Sequence, residues 1–170
     1  MLRLTKKADY SLIALRHFAF RQQQTGGAVS AKEVSDVCGI PLPVLSKLLQ
    51  KLGKSGFLVS EYGTNGGYRL ARHPSRISAL EVIRAIDGPV VLTSCFTEHS
   101  GLHKSCNTSA MCTVREPLRR VHEAMLGLLE KFTIAELAAD GRHPIQIGGV
   151  LNSAKPVKTE FRHDEAYIPG

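Results

Sequence analysis

Apolar residues return at α-helical spacing in four stretches of the first 90 residues, and each stretch is bracketed by residues that cap or break a helix. Thr5 caps the first, expected over Lys6 to Gln23, with Ala8, Leu12, Leu15 and Ala19 on one face and Thr25-Gly26-Gly27 ending it. Ser30-Ala31-Lys32-Glu33 has the Ser-x-x-Glu form of a capping box and opens a short helix through Val34 and Val37 to Cys38, stopped by Gly39. Pro41 and Pro43 flank the start of a third helix that runs to about Ser55. Its pattern turns Val44, Leu45, Leu48, Leu49 and Leu52 inward and leaves Ser46, Lys47, Gln50, Lys51 and Lys54 outward.

After Gly56 the period changes. Phe57 to Tyr62 reads as a strand, Gly63-Thr64-Asn65-Gly66-Gly67 as a tight turn and Tyr68-Arg69-Leu70 as the returning strand. Two short helices joined around a glycine, the second with a basic outer face, predict a helix-turn-helix, and the hairpin makes it a winged helix. Ser78-Ala79-Leu80-Glu81 is a second capping-box match and opens a helix through Val82, Ile83 and Ile86 that Asp87-Gly88-Pro89 terminates. From Val90 to Cys112 no regular period is visible. A long amphipathic helix follows from about Thr113 to Phe132, with Pro117 accommodated in its first turn and Val121, Met125, Leu128 and Leu129 as an apolar stripe. The first four helices already close a domain, so the same helix of a second subunit is the expected cover for that stripe, in a symmetric homodimer. Thr133-Ile134-Ala135-Glu136 caps a short last helix to about Ala139, and the Gly-, Pro- and charge-rich stretch from Gly141 to Gly170 is expected to be mobile.

The fold class expected is therefore mainly α: a winged helix-turn-helix with a two-stranded wing, a cysteine loop and a long dimerisation helix. The corresponding division is 1–88 for the DNA-binding domain, 89–112 for the loop, 113–139 for the dimerisation and short capping helices, and 140–170 for the tail.

Charge sharpens this reading. The 170 residues carry 22 Lys and Arg against 15 Asp and Glu, a net +7, which favours an anionic partner. No stretch approaches the roughly 18 to 20 uninterrupted apolar residues of a membrane span, and no long basic amphipathic helix is visible, so double-stranded DNA is the expected partner and the membrane is not. The opening residues lack the apolar run of a secretory leader, and a cytoplasmic protein is expected. Ser46, Lys47 and Gln50 suit base edges, while Arg3, Lys6, Lys7, Lys51, Lys54 and Arg69 suit phosphates, with Asn65 at the tip of the wing. No Ser-His-Asp, paired-carboxylate or phosphate-loop signature stands out, so no enzyme activity is expected; Gly63 to Gly67 is not followed by a helix that could cradle phosphate.

Three of the four cysteines, Cys95, Cys106 and Cys112, fall in the loop, with ten and five residues between them. Thiolates in a reducing compartment point to iron-sulfur clusters, zinc or redox sensing rather than to a disulfide framework. Those gaps match neither the Cys-x2-Cys knuckle of zinc ribbons nor the clustered spacing of ferredoxins, and three ligands leave a fourth to be found. His99 and His103 lie inside the loop and are available as ligands. Cys38 belongs to the apolar end of the second helix and is expected in the core.

Taken together, Arg3-Leu4-Thr5 with Asp9-Tyr10, Gly39-Ile40-Pro41, Gly63-Thr64-Asn65-Gly66-Gly67-Tyr68, Glu81-Val82-Ile83 with Ala85-Ile86-Asp87-Gly88, and the three cysteines resemble the IscR/NsrR-type family of iron-sulfur winged-helix transcription regulators. The opening residues and Ile86-Asp87-Gly88-Pro89 further resemble its subgroup of regulators of the SUF iron-sulfur assembly system. The resemblance implies a homodimeric regulator, in the sense of a repressor, that reads a two-fold-related operator and senses through a labile cluster held by Cys95, Cys106 and Cys112. One branch of the family has a histidine three residues after the third cysteine; Arg115 stands there and cannot serve. The nitric-oxide-sensing branch uses a carboxylate near the start of the first helix, reached across the dimer, and Asp9 occupies that position. A further branch uses a histidine one turn later, where this chain has Ile13, so the resemblance favours 4Fe-4S over 2Fe-2S, with His99 or His103 as the fallback for Asp9. Nitric oxide, iron level and oxidants all fit as signals, and a cluster-free thiol or zinc sensor is the alternative of another class.

Overall fold

The structure, a computed structural model, describes residues 4–63, 66–93 and 112–139. Six helices, α1 (Lys6–Gln24), α2 (Ala31–Cys38), α3 (Leu42–Lys54), α4 (Ala79–Asp87), α5 (Arg115–Lys131) and α6 (Ile134–Ala138), accompany an antiparallel hairpin of β1 (Leu58–Glu61) and β2 (Gly67–Leu70). The chain is a winged helix-turn-helix, as the pattern predicts.

Helix boundaries follow local chemistry. Thr5, Ser30, Ser78 and Thr133 cap α1, α2, α4 and α6, each side-chain oxygen accepting the N–H three residues on. Full capping boxes form at Ser78–Glu81 and Thr133–Glu136. The expected box at Ser30 forms only by half, because the Glu33 carboxylate turns instead to Arg21 of α1 at 2.8 Å and to His17 at 3.4 Å. An ion pair between two helices has displaced a local cap, fixing α2 against α1. Gly39, at φ +65°, takes the left-handed turn between α2 and α3 that a side chain would resist.

The core gathers Leu15 and Phe18 of α1, Val34 of α2, Leu45, Leu49 and Leu52 of α3, Ile83 of α4 and Ile134 of α6, all at most 2% exposed. Ser11 is fully buried among them and donates its hydroxyl to the Lys7 carbonyl at 2.8 Å, so that hydroxyl is not stranded. Val44 departs from its expected inward orientation: it is 40% exposed, because it lies at the edge of the α3 stripe, in the first turn. Val37 is 65% exposed for the same kind of reason, while Val34 is buried.

The strands are one residue shorter at each end of β1 than the pattern suggests, and Tyr62 is almost fully exposed. The wing gains a rung that the sequence hides, an isolated bridge in which Val29 and Tyr68 exchange N–H···O bonds of 2.9 Å. It forces glycine at position 67, where a Cβ would come within 2.4 Å of the Val29 carbonyl oxygen. A second bridge, Ser78 with Thr133, joins the start of α4 to the start of α6 through Ala79 N–H to Phe132 O at 2.7 Å and Ile134 N–H to Ile77 O at 2.9 Å. Arg16 of α1 completes this return by donating to the Leu137 carbonyl at 2.7 Å.

By contrast, α5 has no buried residue. Its expected stripe divides: Leu129 packs against the core, whereas Val121 and Leu128 are 55% and 44% exposed. Val114, at the cap, is exposed as well, so Val114, Val121 and Leu128 form an outward apolar row at seven-residue spacing. Among the described residues no helix is long and apolar enough to cross a membrane.

Candidate nucleic-acid interface and metal ligands

The outer face of α3 is held rigidly from behind by its four buried leucines. Lys47 and Gln50 are exposed on it, and Ser46 is half-buried. One cleft is walled by Lys7 of α1, by Pro43, Val44, Lys47 and Lys51 of α3 and by Ile86 of α4, so three lysines from two helices line it together with apolar side chains. The adjacent groove lies between α3 and the wing and is lined by Gln50, Lys54, Val59, Ser60 and Tyr68. The geometry therefore brings Lys7, Lys47, Gln50, Lys51 and Lys54 to one continuous side. Such a surface can neutralise phosphates while offering amide and methyl groups to base edges. Pro43 and Val44, in the first turn of α3, are both exposed beside it.

Two of the expected phosphate contacts are already engaged. Lys51 Nζ donates to the Ile86 carbonyl at 2.8 Å, and Arg69 pairs with Glu61 across the hairpin. Lys6 is exposed in the first turn of α1. Arg3 and Asn65 lie outside the described residues.

Of the candidate metal ligands, Cys112 is half-buried three residues before α5, and Asp9 is exposed in the first turn of α1. Cys95, Cys106, His99 and His103 lie outside the described residues. Among the described residues no three His, Cys, Asp or Glu side chains converge on a common point. As donor types, thiolates are ordinary ligands of iron-sulfur clusters and a carboxylate is a harder, weaker one. Asp9 also shares its face of α1 with Ile13, Arg16 and Phe20, at successive spacings of four, three and four; all are exposed, Ile13 at 41% and Phe20 at 45%. Cys38 behaves as expected of a packing residue: it lies against the core, and burial pushes its thiol up, against the opposing effect of Arg16.

Comparison with known proteins places this architecture. The Rrf2 family, described as iron-dependent transcriptional regulator, matches residues 4–140. The regulator NsrR of Shouchella clausii is 31% identical over 136 residues, covering 80% of this chain and 88% of that protein. NsrR of Bacillus licheniformis is 30% identical over 142 residues, covering 84% and 96%. Among solved structures, CymR, the global cysteine regulator of B. subtilis, superposes with a TM-score of 0.65 at 25% identity, covering 81% of this chain and 97% of that one. IscR of T. potens gives 0.58 at 25% identity, covering 80% and 85%. These relatives are regulators rather than enzymes, and the chain belongs to the Rrf2 family of winged-helix transcriptional regulators.

Proposed function

We propose that the chain is a homodimeric repressor whose hold on a two-fold-related operator is set by an iron-sulfur cluster, and that it controls genes of SUF-type cluster assembly. The observation that carries this reading is the double role of α1. Its first turn supplies Lys7 to the basic side of α3 and Asp9 to an exposed face that also bears Ile13 and Phe20. That face and the Val114–Val121–Leu128 row of α5 are two apolar surfaces left uncovered among the described residues, and a second copy is their natural cover.

On this reading α3 enters the major groove with Ser46, Lys47 and Gln50 at base edges, while Lys6, Lys7, Lys54 and Arg69, with Arg3 and Asn65, track the phosphates. Cys95, Cys106 and Cys112 of one protomer, with Asp9 of the partner subunit, would hold the cluster; 4Fe-4S is preferred because position 13, where another branch of the family has a histidine, is isoleucine. When bound, such a cluster supplies sensitivity to oxidants, nitric oxide or iron supply. Asp9 lies two residues from Lys7, so releasing or engaging its carboxylate would bias the position of α1 beside the recognition helix.

Anaerobic purification tests this directly. Brown protein with iron and acid-labile sulfide in equal amounts supports it, and zinc without sulfide would favour the thiol or zinc sensor. Cluster-loaded and apo dimers binding one operator with equal affinity would sink the switch. Asp9→Ala should shorten the lifetime of the cluster; an unchanged lifetime would move the fourth ligand to His99 or His103.

A further inference from the structure

Asp87 ends α4 against local preference, since a carboxylate at a helix C-terminus faces the negative end of the dipole. A residue that breaks a local rule asks for a tertiary reason. Its oxygens reach the other kind of helix end: Oδ1 accepts the Thr5 hydroxyl at 2.6 Å and Oδ2 accepts the Thr5 N–H at 3.2 Å, at the positive start of α1. Thr5 is itself the cap of α1, accepting from Ala8 N–H, so the carboxylate braces the cap rather than replacing it.

One residue earlier, the same turn makes the opposite bond. The Ile86 carbonyl is among the last four of α4, which have no partner inside the helix, and it accepts the ammonium of Lys51 at 2.8 Å. Lys51 lies in the last turn of α3, so one cation serves the C-terminal ends of two helices. That bond commits one of the three ammonium N–H groups to α4 and holds Nζ against the end of that helix.

We propose that the last turn of α4 sets the position of the recognition helix: Ile86 and Asp87 are its anchor points, Lys51 and Thr5 the side chains that hang from them, and Lys51 is a positioning residue rather than a phosphate ligand. This rests on α3 being the helix that reads DNA. The turn ties the start of α1 and the end of α3 to one rigid point, so the spacing between Lys7 and Lys47 is fixed by bonds that touch no nucleic acid.

The test uses the full-length protein and a duplex that the wild type selects from a random library. Lys51→Met keeps the stem and removes the donor; it should weaken binding to that duplex about tenfold with an unchanged slope of log affinity against log salt. Lys51→Arg, which keeps a charged donor, should recover most of the loss. Asp87→Ala should likewise weaken binding and quicken amide exchange at Ala8 and Asp9 in the free protein. A salt slope that falls by about 0.9 in Lys51→Met would make Lys51 a phosphate contact and overturn the proposal. Unchanged affinity would overturn it too, as would an Asp87→Ala protein that loses exchange protection throughout the domain instead of at Ala8 and Asp9. If the wild type selects no duplex, the DNA-reading assignment fails first; if it selects one that Lys51→Met binds equally well, the positioning role alone fails.

Discussion

Helices α3 and α5 are both amphipathic, yet α3 fully buries Leu45, Leu48, Leu49 and Leu52 inside its own protomer, whereas α5 sets Leu129 against the core and has no fully buried residue. The two sequences look alike in pattern, and the difference lies in where the partner surface is. For α3 it is supplied by α1, α2 and β1 of the same chain; for the Val114–Val121–Leu128 row it is not. An apolar stripe thus says that something must cover it, and only the packing of the rest says whether that cover is internal.

The contrast can be broken most severely from the α5 side. Val121→Asp combined with Leu128→Asp should convert a dimer to a monomer in sedimentation while leaving the helical content of the monomer intact; a dimer that survives would mean that this row is not the interface. On the α3 side, Leu49→Ala should cost about 2–5 kcal/mol in denaturant unfolding, independent of protein concentration, because it opens a cavity in the core. Leu128→Ala should act mainly through the concentration dependence of the midpoint. A smaller loss, about 1–3 kcal/mol, is expected for Gly67→Ala, where the added Cβ meets the Val29 carbonyl and must push the wing from the segment that joins α1 to α2; far-ultraviolet circular dichroism with chemical denaturation measures it.

The smallest effect sharpens the comparison through pH. Glu81 caps α4, and although burial opposes it, the Ser78 N–H, the Arg72 guanidinium and the Ser78 hydroxyl together hold its carboxyl below the ordinary glutamate value of 4.5. Its contribution is therefore present above that value and lost as pH falls through the lowered one. Glu81→Gln should cost under about 1 kcal/mol near neutrality, because the pair with Arg72 is exposed, and should flatten stability against pH below about 4.5. An acid limb of unchanged steepness would remove Glu81 from the account.

Much of this molecule is written locally. Ser78–Glu81 and Thr133–Glu136 could be read as caps because each involves residues three apart, and the α3 leucines because their period is that of a helix. The Val29–Tyr68 rung could not, since a single paired residue carries no period. Glu33 misleads for a related reason: its capping role is local, and Arg21 outbids it from another helix. The basic side of α3 was legible residue by residue, but not the outward turn of Val44 at the edge of its stripe, nor the engagement of Lys51, which depends on where α4 comes to rest. Of the ligand set, Asp9 and Cys112 fall on described residues and Cys95 and Cys106 do not.

The bridge between Ser78 and Thr133 bears on how the protein can be dissected. A fragment ending at Gly88 would retain the whole outer face of α3, yet it would leave the Ile77 carbonyl and the Ala79 N–H without their bridge partners and empty the socket that Ile134 fills. The winged helix is a unit in space but not in sequence. Any truncation meant to isolate it has to carry α6 along, spliced in behind α4 or supplied as a separate peptide.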